Sequence, residues 1–393
     1  MQRRTFLKNS ALGSAFLGLS NYLHAEPATR AASPYGPLIP DPKRLLDLPE
    51  GFHYQVLSRT GQTMSDGFKV PGKQDGMAAF PGPDGKVVLV CNHELSLTMT
   101  NLGPFRNNHR YPKSLDRALS FDPGNDNEPP QIGGTTNMVY NPTTGELENQ
   151  FLSLTGTDRN CAGGAMPWGT WITCEETGDL TSQRGQKHGY CFEVNASPEG
   201  GLQSPVALKG LGRFRHEAVA LDPKTGILYL TEDRTDGLLY RFVPESYTPG
   251  KPVNFSKGTL QALGLVDEEA PDIRNYDPEA SAMAEGEPLQ IKWVDLEDPT
   301  PANDNLRFQG LAAGAVRIAR GEGIHYDKGS FYICATDGGP TRQGQIFKLT
   351  PGKPDTLELF LQPGQSDLLN NGDNLTVAGW GDIIICEDLI NEH

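Results

Sequence analysis

Five short apolar runs with the character of β-strands each end in acidic residues, and this repetition constrains the fold more than any other feature of the chain. The five endings are Val90–Glu94, Ile172–Glu176, Leu230–Asp233, Cys334–Asp337 and Ile385–Asp388. If the strands surround one axis, their carboxylates meet at one end of it, where like charges raise each other's pKa and repel. Bound cations relieve such repulsion, so the pattern predicts a site for several metal ions on an all-β scaffold.

Tight turns between short strands favour a β-propeller. Asn141–Gly145 and Asp222–Gly226 are near copies of one turn, in which Pro fixes φ and Gly accepts a positive φ. In a propeller the innermost strand of each blade lines a channel, and loops at one end converge on the axis. We expect five to seven blades, with six favoured. A double-sheet sandwich is the alternative, but it would not gather five strand ends.

The N-terminus predicts an export signal. Arg3–Lys8 is a twin-arginine pattern, and Ala11–Leu19 is an apolar stretch too short to span a bilayer, with a cleavage site near Ala25. Residues 1–31 are therefore interpreted as a signal peptide and short linker. This interpretation implies the twin-arginine (Tat) export machinery as a partner, a periplasmic or extracellular location, and no membrane anchor.

The rest of the chain, residues 32–393, is predicted to be one propeller domain. Residues 243–290 have weak strand signal and are interpreted as a helical or loop-rich insertion. Little sequence follows the last acidic ending, so the last blade is expected either to be completed by the N-terminal part of the chain or to be truncated. We expect a monomer.

The net charge of −15 makes a nucleic-acid partner improbable, because phosphate backbones require a basic surface. Two interpretations of the acidity carry equal weight. It serves solubility, or part of it is matched by bound cations.

The six cysteines are predicted to be mostly unpaired. An even number in an exported protein permits disulfides, but Cys91, Cys174 and Cys386 lie in apolar runs, where cysteine usually behaves as a small buried hydrophobe. A protein exported in the folded state also folds in a reducing cytoplasm. Cys161 differs, because it lies in the glycine-rich segment Asn160–Gly164.

Several residue types in these segments suit metal and anion binding. Calcium takes six to eight oxygen ligands, often carboxylates, and where two acids are adjacent in an extended strand only one can face the channel. His216 and Glu217 are further candidate metal ligands. Arg317–Gly323 either recognises an anion through its guanidinium groups or is a surface turn.

A set of motifs in this order resembles a known family. The motifs are Asn92–Glu94, Gly133–Thr136, Asn160–Gly164 continuing into Pro167–Glu176, His188–Tyr190, Arg215–Glu217, Glu232–Asp233 and Arg320–Gly323. The chain resembles the PhoX-type alkaline phosphatases, a secreted bacterial family, over residues 45–389. The segment from Asn160 to Glu176 is the most specific part of the resemblance.

The resemblance implies a six-bladed propeller that hydrolyses small phosphomonoesters at a buried cluster of iron and calcium (Fe3+ and Ca2+). It implies Cys161 as an iron ligand through its thiolate, with Glu217 and Glu322 as further iron ligands. The implied calcium ligands are Glu94, Glu175, Glu232 and Glu387, with Asp233, Asp337 and Asp373 as lesser candidates. The implied phosphate-holding residues are Asn92 and Arg320.

The chain is shorter than full-size members of that family, and two other functions stay open. One is a calcium-dependent lactonase or esterase on a propeller, which would need no thiolate. The other is a non-catalytic exported propeller in which the acids hold structural calcium.

Overall fold

The computed structural model describes residues 35–125, 127–177, 186–266, 272–279, 283–364 and 369–388. The predicted signal peptide, residues 1–31, lies outside this part. The strands are β1 (Leu38–Ile39), β2 (Leu48–Pro49), β3 (Gln74–Pro81), β4 (Val87–His93), β5 (Gly133–Asn141), β6 (Glu146–Thr157), β7 (Asn160–Met166), β8 (Thr170–Glu175), β9 (Cys191–Asn195), β10 (His216–Leu221), β11 (Leu228–Glu232), β12 (Leu239–Pro244), β13 (Gly258–Leu265), β14 (Pro288–Asp295), β15 (Gly321–Asp327), β16 (Ser330–Ala335), β17 (Gln345–Thr350), β18 (Thr356–Leu361), β19 (Gly372–Val377) and β20 (Ile383–Glu387).

Helices are few and short in the described residues. They are one α-helix, α1 (Leu306–Ala312), and the 3₁₀ turns Pro83–Gly85, Leu97–Leu102, Arg117–Leu119 and Lys209–Leu211. None of the helices in this part is long and apolar enough to cross a membrane. The predicted all-β class is confirmed.

The strands form successive antiparallel groups in chain order. The groups are β3–β6, β7–β9, β10–β13, β15–β18 and the hairpin β19–β20. Strand β14 pairs with both β13 and β18, so the third and fourth groups join into one nine-stranded sheet. This pairing covers two sheet edges that would otherwise offer free backbone donors and acceptors.

The first strands of the groups pack side by side, β3 on β7, β7 on β10 and β10 on β15. Small residues permit this approach. A Cβ added to Gly76 would lie 2.7 Å from the Cα of Ala162, and one added to Gly164 would lie 2.0 Å from the carbonyl oxygen of Val219. First strands that meet in this way are the inner strands of a β-propeller. The described residues contain five groups, against the expected six.

Apolar side chains from neighbouring groups fill the space between the sheets. Phe214 stacks near the ring of Tyr240, with centroids 4.4 Å apart, in a cluster that also takes in Leu228 and Leu230. A second cluster contains Phe331 and other side chains of the fourth group. Burial of one such aromatic side chain contributes about 1.5–3 kcal/mol, so these clusters hold adjacent blades against each other.

The described residues divide into two compact units. One unit comprises residues 35–58 and 377–384, and the other comprises residues 59–376 and 385–388 with the gaps given above. In the first unit, Asp41 accepts hydrogen bonds from the hydroxyl of Tyr54 and the amides of Lys43 and Leu45. These bonds, the one from Tyr54 foremost, lower the pKa of Asp41 to about 2.

The segment 243–290 contains a strand that its composition did not predict. Residues Gly258–Leu265 form β13, the fourth strand of its group, and pair with β12 on one side and β14 on the other. The strand is stabilised by burial of both its faces, as the buried Leu260, Ala262 and Leu263 indicate. Its sequence therefore lacks the alternation of polar and apolar residues that marks a half-exposed strand. The interpretation of the whole segment as a helical or loop-rich insertion was wrong for these residues.

Candidate metal centre

A β-bulge occurs near the start of the first strand in each of the first four groups. At each bulge, two residues of the first strand lie opposite one residue of the second strand. These two residues lie between Gln74 and Met77, Asn160 and Gly163, His216 and Val219, and Gly321 and Ile324. The skipped pairs are Asp75–Gly76, Cys161–Ala162, Glu217–Ala218 and Glu322–Gly323. Each pair combines a possible metal ligand with a small residue. Bulges redirect side chains and are frequent next to active sites.

A repeated hydrogen bond extends this pattern to the fifth group. The residue two before each ligand accepts, through its carbonyl, an amide N–H from the end of the following strand. The donor–acceptor pairs are Glu94–Lys73 (2.8 Å), Glu176–Arg159 (2.9 Å), Asp233–Arg215 (3.3 Å), Thr336–Arg320 (3.0 Å) and Asp388–Asn371 (2.8 Å). Asp373 follows Asn371 by two residues. It therefore occupies in the fifth group the position that Glu322 occupies in the fourth.

Three of these candidate ligands meet. One carboxylate oxygen each from Glu217, Glu322 and Asp373 lie within 4.8 Å of one another, and no other group of three His, Cys, Asp or Glu comes this close in the described residues. Glu217 and Glu322 are buried. Burial, with like-charged neighbours, raises the pKa of Glu217 and Glu322 well above the ordinary value. Three carboxylates in so small a volume favour a bound cation.

Cys161 lies against the same cluster. Its side chain is buried, and its Sγ is 3.4 Å from the carbonyl oxygen of His216, the residue before Glu217. Burial first, and then the charge of Glu217, raise the pKa of the Cys161 thiol. A thiolate at this position therefore requires a positive partner, which a metal ion supplies.

Asp75 is a fifth candidate ligand, which the sequence analysis did not identify. Burial first, and then the charges of Asp373 and Glu94, raise its pKa to about 7. Its charge also contributes to the raised pKa values of Cys161 and Glu217. No apolar run precedes Asp75, so it is not one of the acidic strand endings. A different pattern, in which a possible ligand is followed by Gly or Ala, does include it.

Most of the acidic strand endings form ion pairs with arginines and do not belong to the three-carboxylate cluster. We call the series of alternating acids and arginines near the bulges the charge arc. Its ion pairs are Arg159–Glu94 (3.1 Å), Arg159–Glu176 (2.8 Å), Arg215–Glu176, Arg215–Asp233 (3.5 Å), Arg320–Asp233 (2.7 Å) and Arg320–Glu322 (2.8 Å). Glu94 and Asp233, which the resemblance implied as calcium ligands, are members of this arc.

Glu175, implied as a calcium ligand, lies outside the three-carboxylate cluster. It is fully buried and accepts hydrogen bonds from the amides of Asp158, Gly189 and Tyr190 and from Nδ1 of His188. Its two oxygens are occupied by four protein donors. Glu175 therefore ties these segments together, and its role as a calcium ligand stays a prediction.

Three other implied calcium ligands also lie outside the three-carboxylate cluster. Glu232 accepts bonds from the amide of Leu238 and the hydroxyl of Tyr240, and burial raises its pKa to about 8. Asp337 pairs with Arg342 and with a tyrosine hydroxyl. Glu387 is exposed and accepts a bond from the amide of Asn370. Each carboxylate is engaged by a neighbouring protein donor.

Asn92 and Arg320, implied as phosphate-holding residues, differ in whether they have hydrogen-bond donors that the described residues leave unused. The two N–H groups of Asn92 are donated to the carbonyls of Cys161 and Ala162, and its Oδ1 accepts from Trp171. Asn92 therefore holds the bulge of the next group, and its contact with phosphate stays a prediction. Arg320 donates from Nε and Nη2 to Asp233 and Glu322, while its Nη1 has no acceptor among the described residues.

Comparison with known proteins identifies the family of the chain. No curated protein matches the chain in sequence. Among solved structures, PhoX of Pseudomonas fluorescens in complex with vanadate, a transition-state analogue, is similar at a TM-score of 0.56 and 18% identity, covering 87% of this chain and 81% of that one. At this identity the likeness shows the fold.

Two further solved structures have lower scores. A putative 6-phosphogluconolactonase from Bacteroides uniformis has a TM-score of 0.35 at 11% identity, covering 79% of this chain and 77% of that one. The apo-form of the soluble aldose sugar dehydrogenase from Escherichia coli has a TM-score of 0.38 at 10% identity, covering 80% of each chain. Scores this low carry no functional argument.

The family match covers nearly the whole chain. The sequence profile described as alkaline phosphatase PhoX matches residues 33–393. The match agrees with the resemblance noted from the motifs, and it makes the chain a phosphoester hydrolase. The chain belongs to the alkaline phosphatase PhoX family.

Proposed function

We propose that this protein hydrolyses small phosphomonoesters in a metal-dependent reaction at the cluster of Glu217, Glu322 and Asp373. The observation that carries the proposal is the approach of these three carboxylates to within 4.8 Å in a buried site. Like charges so close are stable only when protonated or when bound to a cation. Membership of a phosphatase family favours the cation.

The donor set fits both metals that the resemblance implies. The carboxylates of Glu217, Glu322, Asp373 and Asp75 are ligands that suit calcium, and the thiol of Cys161 is a soft ligand that suits iron. We propose that these five side chains hold the ions. When bound, the ions would act as Lewis acids that neutralise phosphate oxygens.

Arg320 is placed to bind and orient the phosphate of the substrate. Asp233 and Glu322 hold its Nε and Nη2, and this fixes the plane of the guanidinium group. The two N–H groups on Nη1 are left for an anion. A guanidinium held by two carboxylates loses little conformational entropy when it binds phosphate.

Asn92 acts as a positioning residue in this proposal. It donates to the carbonyls of Cys161 and Ala162 at 2.8 Å each. Thr231 does the same for the fourth group, since its hydroxyl donates to the carbonyl of Glu322 at 2.6 Å. Both residues lie opposite a bulge in their own group. They therefore fix the direction in which the candidate ligand of the next group points.

The test is release of phosphate from an aryl phosphate at alkaline pH, with metal content measured on the same samples. We expect activity that requires added or retained metal and that Glu217→Gln abolishes together with metal binding. The matched control is Glu148→Gln, which changes a surface glutamate paired with Lys86. Full activity of Glu217→Gln, or activity that survives complete metal removal, would overturn the proposal.

We also propose that the chain is exported by the twin-arginine route to the periplasm or beyond and acts there as a monomer. The support is the Arg3–Lys8 pattern with the apolar stretch after it. The test is the location of the full chain in cells with Arg3 and Arg4 both changed to Lys. Export that is unaffected by this change would contradict the proposal.

A further inference from the structure

Two buried thiols face each other across neighbouring strands of the second group. Cys174 in β8 and Cys191 in β9 are direct partners in the strand register. Their sulfur atoms are 3.6 Å apart, and both residues are fully buried. Both are free thiols in this structure.

The backbone around this pair has the geometry that a disulfide requires. The amide of Glu175 donates to the carbonyl of Tyr190 at 3.0 Å, which makes Cys174 and Cys191 a non-hydrogen-bonded pair of the antiparallel ladder. The Cα atoms of such pairs lie about 4.5 Å apart, and disulfides join Cα atoms about 4.4–6.8 Å apart. Closing the gap to a bond length of about 2.0 Å therefore requires rotation of side chains, with little movement of backbone.

His216 orients one of the two thiols. Its Nε2 lies 3.1 Å from the carbonyl of Gly212, and a carbonyl can only accept, so the ring proton is on Nε2. Nδ1 is then an acceptor, 3.3 Å from the sulfur of Cys191. The S–H of Cys191 points to the ring, which leaves the lone pairs of this sulfur free toward Cys174. The ring of Phe214 stacks on His216 and holds it there.

We propose that Cys174 and Cys191 are a site of reversible oxidation and form an intrachain disulfide when the protein equilibrates with a small-molecule disulfide. In this exchange two S–H bonds break and one S–S bond forms between Cys174 and Cys191. The two electrons and two protons pass to the small disulfide, such as oxidised glutathione, which becomes two thiols. The bond would join β8 to β9 next to the strand that carries Cys161, without using the Cys161 thiol.

The experiment uses the full chain with Cys386→Ser, which removes the exposed thiol. The protein is equilibrated with a series of glutathione redox buffers, both in the native state and during refolding, because the pair is buried. Free thiols are then blocked under denaturing conditions and the digest is mapped by mass spectrometry. We expect a linked pair of peptides containing Cys174 and Cys191, with a loss of about 2 Da for the intact chain.

Matched variants separate this bond from other oxidation. Cys191→Ala in the same background should keep all its remaining thiols in every buffer, whereas Cys334→Ala should still form the bond. Absence of the linked peptides after both native oxidation and oxidative refolding would overturn the proposal. A bond from Cys161 to either partner, or only mixed disulfides with glutathione, would also overturn it.

Discussion

The bulges of the inner strands and the endings of the strands beside them are both rich in acids, yet they differ in what surrounds the carboxylates. Glu176 lies between two arginines, and Glu175 accepts four protein hydrogen bonds. Glu217 has like-charged neighbours and a raised pKa instead. The comparison teaches that the clustering of acids, rather than the burial of a single acid, indicates a metal site, since Glu322 belongs to the cluster although it also pairs with Arg320.

The largest effect expected from this difference is on catalysis by the bulge acids. Glu322→Gln should lower kcat by about 10²-fold or more, because Lewis-acid stabilisation of a phosphoryl group is worth several kcal/mol and about 1.4 kcal/mol is a factor of ten. The measurement is aryl phosphate hydrolysis with metal content. Glu358→Gln, at a half-buried pair with Lys348 outside the cluster, is the control. A Glu322→Gln protein that keeps both metal and activity would remove the distinction between the two regions.

Glu175→Gln should instead act on stability. The change removes the charge that holds a buried His188, whose pKa the neighbouring Glu175 and Asp122 raise to about 10. Loss of one partner from a buried ion pair costs about 3–5 kcal/mol. Urea unfolding of the metal-free protein measures it. If Glu175→Gln is as stable as wild type but has lost metal, Glu175 belongs with the ligands.

Asp75→Asn should give an intermediate effect and tests the residue that the sequence analysis missed. We expect a loss of metal affinity of at least about 10–100-fold, because that range is found for residues that only support a ligand and Asp75 is proposed as a ligand itself. In metal-free wild type, the raised pKa of Asp75 means that the folded state binds its proton more tightly than the unfolded state. Stability should therefore fall as pH rises from about 4 to about 7. Asp75→Asn should flatten this decline, and an unchanged slope would contradict the assignment.

Gly76→Ala should separate the first two inner strands. The new Cβ would lie 2.7 Å from the Cα of Ala162 and 2.9 Å from the carbonyl oxygen of Cys161. Overpacking of this kind costs about 1–3 kcal/mol, and it should weaken metal binding through displacement of Cys161. Gly201→Ala is the control, because an added Cβ meets nothing within 4 Å there. Equal unfolding midpoints for the two variants would show that the strands are not in close contact.

Glu94→Gln should have the smallest effect. Glu94 pairs with Arg159 at 3.1 Å, and the Arg159 side chain is 39% exposed. Ion pairs with this degree of exposure contribute at most about 1 kcal/mol. Thermal unfolding and phosphate release should both be close to wild type. A loss of activity as large as that of Asp75→Asn would place Glu94 among the metal ligands.

The sequence predicted the class of fold and a convergence of acids, but it did not reveal which of the acids come together. Apolar runs make the endings of β4, β8 and β11 conspicuous, whereas Asp75 is the second residue of β3 and no apolar run precedes it. A bulge is a feature of pairing between strands, so a single strand does not reveal it. The partners of an acid are equally hidden, since Arg159 reaches Glu94 from 65 residues away in the sequence.

The structure brings together implied ligands of the inner strands, whereas the implied ligands at the strand endings lie outside that cluster. Glu217, Glu322 and Asp373 do lie together, with Cys161 beside them. Glu175 and Asn92 also belong to the motifs, and both are buried and fully hydrogen-bonded to the protein. A motif residue can therefore support the structure of a site without a free group to bind a ligand.

The small residue after each of the four bulge ligands has a consequence for which changes the centre can accept. The inner strands touch through atoms of the main chain, as at Gly76 with Ala162 and at Gly323 with Asn374. The distance between these strands is thereby limited by the missing Cβ atoms of Gly76 and Gly323. Exchanging one oxygen or sulfur ligand for another would leave that distance unchanged, whereas one additional carbon at Gly76 or Gly323 would increase it. In the proposed centre, the scaffold would therefore set the spacing of the ions, and the ligands would select which ion binds.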